Sequence, residues 1–296
     1  MKHAKKMTSS SHATAAATTV FRTLAQSRRS VKRFQPNQRI PSHIVKDVLE
    51  STLRAPSSFN LQPTQIIMVQ NDALKERLAQ YAMLGVGNQY RVRDCSAVAV
   101  FLSDLQASQR IARMMQLEQE WGQRHPTYMA MMPLSTSFLL GEGHAATLLK
   151  QVTTDLLSET TSRPMPHIEP IQSWSYKNTA LAAQTYLFAA QSHQLDTCIM
   201  EGFDPRRMKE VLSIPDRYGI PMVIGTGYEY QEGEDGKQKQ PKLTPRLPLE
   251  EVVFQDRFGD PIQFHNGDDD DKNNNEEDND DNVDAQMQGS AASDGR

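Results

Sequence analysis

Three short polar segments lie far apart in the chain: Arg28-Arg29-Ser30-Val31-Lys32, Ala55-Pro56-Ser57-Ser58-Phe59-Asn60-Leu61-Gln62-Pro63 and Glu201-Gly202-Phe203-Asp204-Pro205. The first offers fixed cations and a hydroxyl, the second short hydrogen-bonding side chains between prolines, the third an acid and a flexible backbone before a helix start. Such a set fits one phosphorylated, planar, hydrogen-bonding cofactor, so the fold must serve a single ligand from three distant places. Read alone, each segment also fits a solvated charged face or an ordinary turn.

The 296 residues, 38% of them hydrophobic, suffice for a buried core. No apolar run reaches the roughly 18 residues of a membrane span. The net charge of -4 is unevenly spread: residues 268–296 hold 11 acidic and 2 basic residues, and the remainder is mildly basic. The Asp/Asn/Glu run from Asp268 to Asn282 has too little apolar surface to offset ordering entropy, which predicts a disordered acidic tail over 265–296. At the other end the first acidic residue is Asp47, and residues 1–20 read as a disordered basic leader. Such a leader fits an organelle transit peptide or a plain extension of a cytoplasmic enzyme, leaving cytoplasmic, mitochondrial and plastid locations open.

Between them, an amphipathic helix is expected around Ile44 to Leu53, a strand over 65–69, a helix over 73–83, a strand over 96–102, an Ala-rich buried helix over 175–193, a strand over 220–226 and an extended proline-rich arm over 243–264. Residues 106–172 read as long and irregular, methionine-rich and without a clean strand, fitting helices and a loop over the site or an ordinary helical core or flexible insertion, with Trp121, Tyr128 and Phe138 there, and Trp174 just after, as candidate substrate-facing aromatics. Cys95 and Cys198 are too far apart for a redox pair or a zinc knuckle and read as buried thiols. His144, and His167 with Glu169, lack a third ligand, so no metal site is expected. Gly85 and Gly87 supply two of the three glycines of a dinucleotide fingerprint without its βαβ frame.

The order and content of the three segments resemble the FMN-dependent nitroreductase family over roughly residues 21 to 262. The resemblance implies an α+β, nitroreductase-like fold over 21–264, with a central mainly antiparallel sheet flanked by helices and a domain-swapped C-terminal arm. It implies a homodimer and an NAD(P)H-dependent flavin oxidoreductase that passes hydride through FMN to an electron-poor acceptor (nitroaromatic, quinone or enone) in ping-pong order. A specialised flavin enzyme such as a reductive dehalogenase, or a non-catalytic FMN-binding scaffold, remains open. The implied partners are a second copy and a small-molecule acceptor, not nucleic acid or membrane.

By resemblance, Arg28, Arg29 and Ser30 hold the FMN phosphate and ribityl chain, and Lys32 reaches the pyrimidine side of the ring. Pro56, Ser57, Ser58 and Asn60 complete the site from the partner subunit, while Asn88 and Arg91 bind the flavin's polar edge. Glu201 and Gly202 lie beside N5, where a missing side chain lets the backbone come close. Arg246 matches the late phosphate-binding arginine. Two departures stand out: Thr64 replaces the usual Trp after Gln-Pro, and Thr244 replaces a Lys. No side chain is assigned as a catalytic acid or base, and Asp204-Pro205 reads as a helix cap.

Overall fold

The computed structural model describes residues 16–231 and 244–264, which belong to two compact units divided after Leu243. The expected leader up to residue 15 and the acidic segment from residue 265 lie outside the described residues. A helix, α1, covers residues 16–27, so residues 16–20 of the span expected as a structureless leader are helical. Ala16 and Ala17 favour that state, and Phe21 on the same helix meets Phe188 edge-on with ring centroids 5.4 Å apart.

In the first unit follow α2 (Ser42–Thr52), β1 (Thr64–Val69), α3 (Asp72–Tyr81), α4 (Val86–Asp94), β2 (Ala97–Asp104), α5 (Ile111–Trp121), α6 (Pro126–Leu139), α7 (His144–Thr161), α8 (Ile171–Ser192), β3 (Asp196–Met200), α9 (Pro205–Leu212) and β4 (Tyr218–Gly227). The strands form one sheet in the order β1-β2-β4-β3, every neighbouring pair antiparallel. The expected α+β class and antiparallel sheet are therefore present. No helix among the described residues is long and apolar enough to cross a membrane.

All eight residues of β2 are buried, which explains why Ala-Val-Ala-Val-Phe-Leu lacks polar alternation: helices cover both faces. Side chains still alternate with period two. Val98, Val100 and Leu102 pack in one cluster with Leu78 of α3, Val92 of α4 and Met208 of α9. Ala99 and Phe101 pack in the other with Val48 of α2 and Ala183, Tyr186 and Leu187 of α8. Small residues at Ala182, Ala183 and Ala190 bring α8 close to the sheet, where the buried Tyr186 hydroxyl bonds Thr226 Oγ1 at 2.9 Å. The Phe101 ring stands edge-on to Tyr186 at 5.6 Å.

Residues 106–172, which the sequence left open between helices, helical core and flexible insertion, are mostly helical. In α5 the buried Ile111, Met114 and Glu118 recur at helical spacing, and methionine serves as apolar filler there. A third cluster joins Leu61, Ala107, Ile111, Met114, Met132, Leu140 and Trp174 beneath the loop that enters β1. Trp174 is thus a core residue at the start of α8 and not a substrate-facing one. Cys95 and Cys198 are free, buried thiols, and burial pushes Cys95 up to about 12.

A buried carboxylate closes one end of the sheet. Asp104, the last residue of β2, accepts from Arg217 Nη2 at 2.6 Å and Arg110 Nε at 2.9 Å, and its amide donates to Pro63 O at 2.9 Å. Arg110 Nη1 also donates to Gln62 O at 2.7 Å, tying the loop before β1 to this charge cluster. Burial alone would raise the Asp104 pKa, but the hydrogen bonds from Arg217 and Arg110 outweigh it and hold the carboxyl below the usual range.

In the second unit a single helical turn, α10 (Leu249–Val252), interrupts the segment expected as extended, and a bridge joins Phe254 to Pro261.

Two stability measurements check these packings. Phe101→Ala should lower unfolding free energy in urea by about 3–5 kcal/mol, the range for an emptied aromatic core position. Asp104→Asn should cost roughly 2–4 kcal/mol at neutral pH by leaving two arginines short of their counter-ion. Because the folded pKa of Asp104 is depressed, its contribution is complete above the unfolded value near 4 and disappears as pH falls through the folded one. Wild type and Asp104→Asn should therefore converge in acid-unfolding curves.

Candidate functional site

β3 forms one edge of the sheet, and the first polar segment docks against it. Val31 is buried and its amide donates to Thr197 O at 3.0 Å, with Ser30 and Thr197 forming a parallel bridge. This anchor leaves Arg28, Ser30 and Lys32 with no side-chain hydrogen bond or ion pair among the described residues. Arg29 differs. Its guanidinium grips Glu229 through two hydrogen bonds, Nη1 to Oε1 at 2.7 Å and Nη2 to Oε2, and this bonding raises its pKa. The Glu229 amide in turn donates to Asp196 Oδ2 at 2.7 Å, and burial pushes the Asp196 carboxyl up.

Glu201-Gly202 follows directly at the end of β3. Gly202 O accepts from the Leu84 amide at 2.9 Å and from Asn88 Nδ2 at 3.3 Å. Asn88 Oδ1 accepts from Arg91 Nη1 at 2.8 Å, so three of the expected site residues form one hydrogen-bonded chain. Arg91 Nε is buried without a partner, a donor awaiting an acceptor. A Cβ on Gly202 would fall 2.5 Å from Asn88 Nδ2, so any larger residue here must push the Asn88 amide from its place. Asp204 caps α9, accepting from the amides of Arg206 and Arg207 at 3.0 and 3.1 Å, the structural role expected of it.

The second polar segment stands at the start of β1, the opposite edge. Three inter-strand steps, about 14 Å, separate β1 from β3. Its backbone is left-handed at Phe59, Asn60 and Gln62, and a short 3-10 turn spans Ser58–Asn60. Side chains hold this shape: Ser57 Oγ accepts from the Gln62 amide at 2.9 Å, Asn178 Oδ1 from the Ser58 amide at 2.8 Å, and Glu118 Oε1 from Asn60 Nδ2 at 2.8 Å. Thr64, in the place of the usual Trp, bonds Thr179 Oγ1 at 3.2 Å. Within one chain, then, Arg28, Arg29, Ser30, Lys32, Asn88, Arg91, Glu201 and Gly202 belong to the β3 side, and Pro56, Ser57, Ser58 and Asn60 to the β1 side. Arg246 lies in the second unit, where Nη1 donates to Thr244 Oγ1 at 2.7 Å and Pro245 O at 2.9 Å.

Beside the loop opens a cleft of about 690 Å³, lined by Pro56, Ser57 and Asn60 together with Glu118, Trp121 and Tyr128. Two of the expected aromatics are thus on the cleft. Phe138 lies instead near Lys150, whose Nζ is 5.9 Å from the ring centroid. Glu118 is only 5% exposed, and hydrogen bonds from Arg124 hold its carboxyl below the usual range. Glu118, Arg124, Glu229 and the Asp104 cluster escaped the reading of the sequence. A lone Glu in Leu-Glu-Gln-Glu-Trp looks like an ordinary solvent-facing helix position, and only its i+4 spacing from Met114 marks it as inward.

The nitroreductase family model matches residues 25–228. A protein of Thermus thermophilus named as an NADH dehydrogenase is 26% identical over 78% of this chain and 94% of its own. A Bacillus subtilis protein provisionally named an NAD(P)H nitroreductase is 29% identical over 72% of this chain and 90% of its own. A provisionally named nitroreductase from Exiguobacterium sibiricum, solved in complex with FMN, superposes with a TM-score of 0.57 at 20% identity, covering 79% of this chain and 96% of that one. The chain belongs to the nitroreductase family and is an oxidoreductase of that type.

Proposed function

We propose that two copies of this chain hold FMN between them, the β3-edge group of one facing the β1-edge loop of the other. The observation that carries this reading is the strand order: the residues suited to one flavin lie on opposite edges of a four-stranded sheet. The donor chemistry fits the group as well. Arg91 Nε is buried and unpaired, and Arg28, Ser30 and Lys32 have no polar side-chain partner among the described residues. The Exiguobacterium sibiricum protein of similar fold was solved with FMN, which supports the same cofactor here.

In this reading Arg28 and Ser30 bind the phosphate and ribityl chain as ready donors. Arg29 is held by Glu229 through two of its five N–H donors, so it fixes the segment on the sheet and can turn only its remaining donors to the phosphate. Lys32, Asn88 and Arg91 hold the polar edge of the ring, the Gly202 backbone and Glu201 lie along its reactive side, and Pro56, Ser57, Ser58 and Asn60 of the partner copy complete the rim. The arm carrying Arg246 reaches over the partner toward the phosphate. When bound, FMN supplies two-electron exchange between NAD(P)H and an electron-poor nitroaromatic, quinone or enone, the two visiting in turn; with a quinone, NAD(P)H and a proton give NAD(P)+ and the hydroquinone. The chain's residues orient these partners, and none needs to act as a general base.

Subunit complementation tests the arrangement. Arg28→Ala/Arg29→Ala and Ser57→Ala/Asn60→Ala proteins should each purify with little flavin absorbance. Co-expressed, they should form mixed dimers in which one site carries both lesions and the other none, so the yellow colour returns. Mixed dimers that stay colourless beside a yellow wild type would rule out sharing across subunits, whereas a wild type that takes up no FMN would end the flavin reading.

A further inference from the structure

The cleft beside the loop has a chemistry of its own. Its volume of about 690 Å³ accommodates a ligand of one or two rings, and its walls include Leu53, Leu117, Trp121 and Tyr128 with two cations, Arg54 and Arg124. The Arg124 guanidinium sits 5.6 Å from the Trp121 ring centroid and 5.2 Å from that of Tyr128, so a flat cation and two aromatic rings form one corner. Arg124 Nε and Nη2 donate to Glu118 at 2.8 and 3.3 Å, while Nη1 has no described partner. Arg54 is exposed and makes no side-chain hydrogen bond or ion pair among the described residues.

These walls carry two positive charges against one carboxylate. That carboxylate is already engaged by three donors: Oε1 accepts from Asn60 Nδ2 and Arg124 Nη2, and Oε2 from Arg124 Nε. Glu118 is nearly buried, so its charge is spent on Arg124 and presents little repulsion to an incoming anion. The unspent donors are those of Arg54 and of Arg124 Nη1. A neutral aromatic acceptor would fill the cleft but leave this surplus positive charge unanswered.

Resting on the flavin reading above, we propose that this enzyme's acceptor class is a planar, electron-poor aromatic bearing a carboxylate or sulfonate, its ring against Trp121 and Tyr128 and its anion met by Arg54 and Arg124. With a nitroarene the first two-electron step balances as nitro compound, NAD(P)H and a proton giving the nitroso compound, NAD(P)+ and water.

The test compares 4-nitrobenzoate with 4-nitrobenzamide, which match in size and differ in charge, as acceptors for the FMN-loaded protein at low ionic strength. The carboxylate is the less electron-withdrawing substituent, so intrinsic reactivity favours the amide. A higher kcat/KM for the benzoate, by about tenfold, is expected from one charge-assisted hydrogen bond. That ratio should fall several-fold in Arg54→Gln and at high salt. As a binding readout, 4-nitrobenzoate should quench tryptophan fluorescence more strongly than the amide does, and Trp121→Phe should remove most of that signal because Trp174 is in the core. Equal turnover of both acceptors overturns the proposal while leaving the flavin reading intact. So does an Arg54→Gln protein in which KM for NADH rises and the acceptor ratio stays put, because the cations would then serve the dinucleotide phosphates. Absence of turnover with either acceptor overturns this proposal as well, and the flavin reading falls with it only if the protein also takes up no FMN.

Discussion

Burial of β2 on both faces is the constraint from which the rest of the arrangement follows. With α3, α4 and α9 on one side and α2 and α8 on the other, the two faces of the sheet are spent on packing. Ligand chemistry is left with the edges and ends of the sheet, where backbone groups and short polar side chains are not enclosed by apolar neighbours. The polar segments sit there: 28–32 on the outer edge of β3, Glu201-Gly202 at its end, and 55–63 at the start of β1.

At those edges charge is rationed between structure and ligand. The charge of Arg29 is balanced by Glu229, and that of Asp104 by two arginines, so these pairs first stabilise the frame. Arg91 is held by Asn88 through one nitrogen only, and its Nε remains unanswered in a buried position. A buried orphan donor is costly in the free protein, and an acceptor arriving on it recovers that cost. The division explains how one short stretch, Arg28-Arg29-Ser30, can contain both an anchor and unengaged donors.

Much of this was legible in the sequence, and the failures have a common physical origin. α2, α3, the strands β1, β2 and β4 and the Asp204 cap were readable because period and capping chemistry are local. The helices over 106–172 were obscured because methionine and threonine occupy inward positions, as at Met114, Met132, Thr136 and Thr154, and weaken the apolar period. Trp174 read as substrate-facing because aromatic residues serve cores and clefts alike; its neighbours, Leu61 and Met114 among them, come from distant segments. The Arg29–Glu229 and Asp104–Arg217 pairs span 200 and 113 positions, separations at which no local pattern pairs an acid with its base. The motif residues could be named from the sequence, but their division between two sheet edges depends on strand order, a long-range property.

That division meets a second feature of the surface. On α7, Leu148, Val152 and Leu156 recur at every fourth position, so they line one face of the helix, and all three are more than half exposed. On α6 Leu134 is 69% exposed. Single exposed apolar residues are ordinary, but a stripe over three successive turns leaves apolar area in water that a monomer has no reason to keep. In the reading proposed above, a second copy is the surface such a stripe could pack against. Covering the stripe would supply association energy of the non-directional kind, and the shared flavin site would fix the orientation in which that energy is realised.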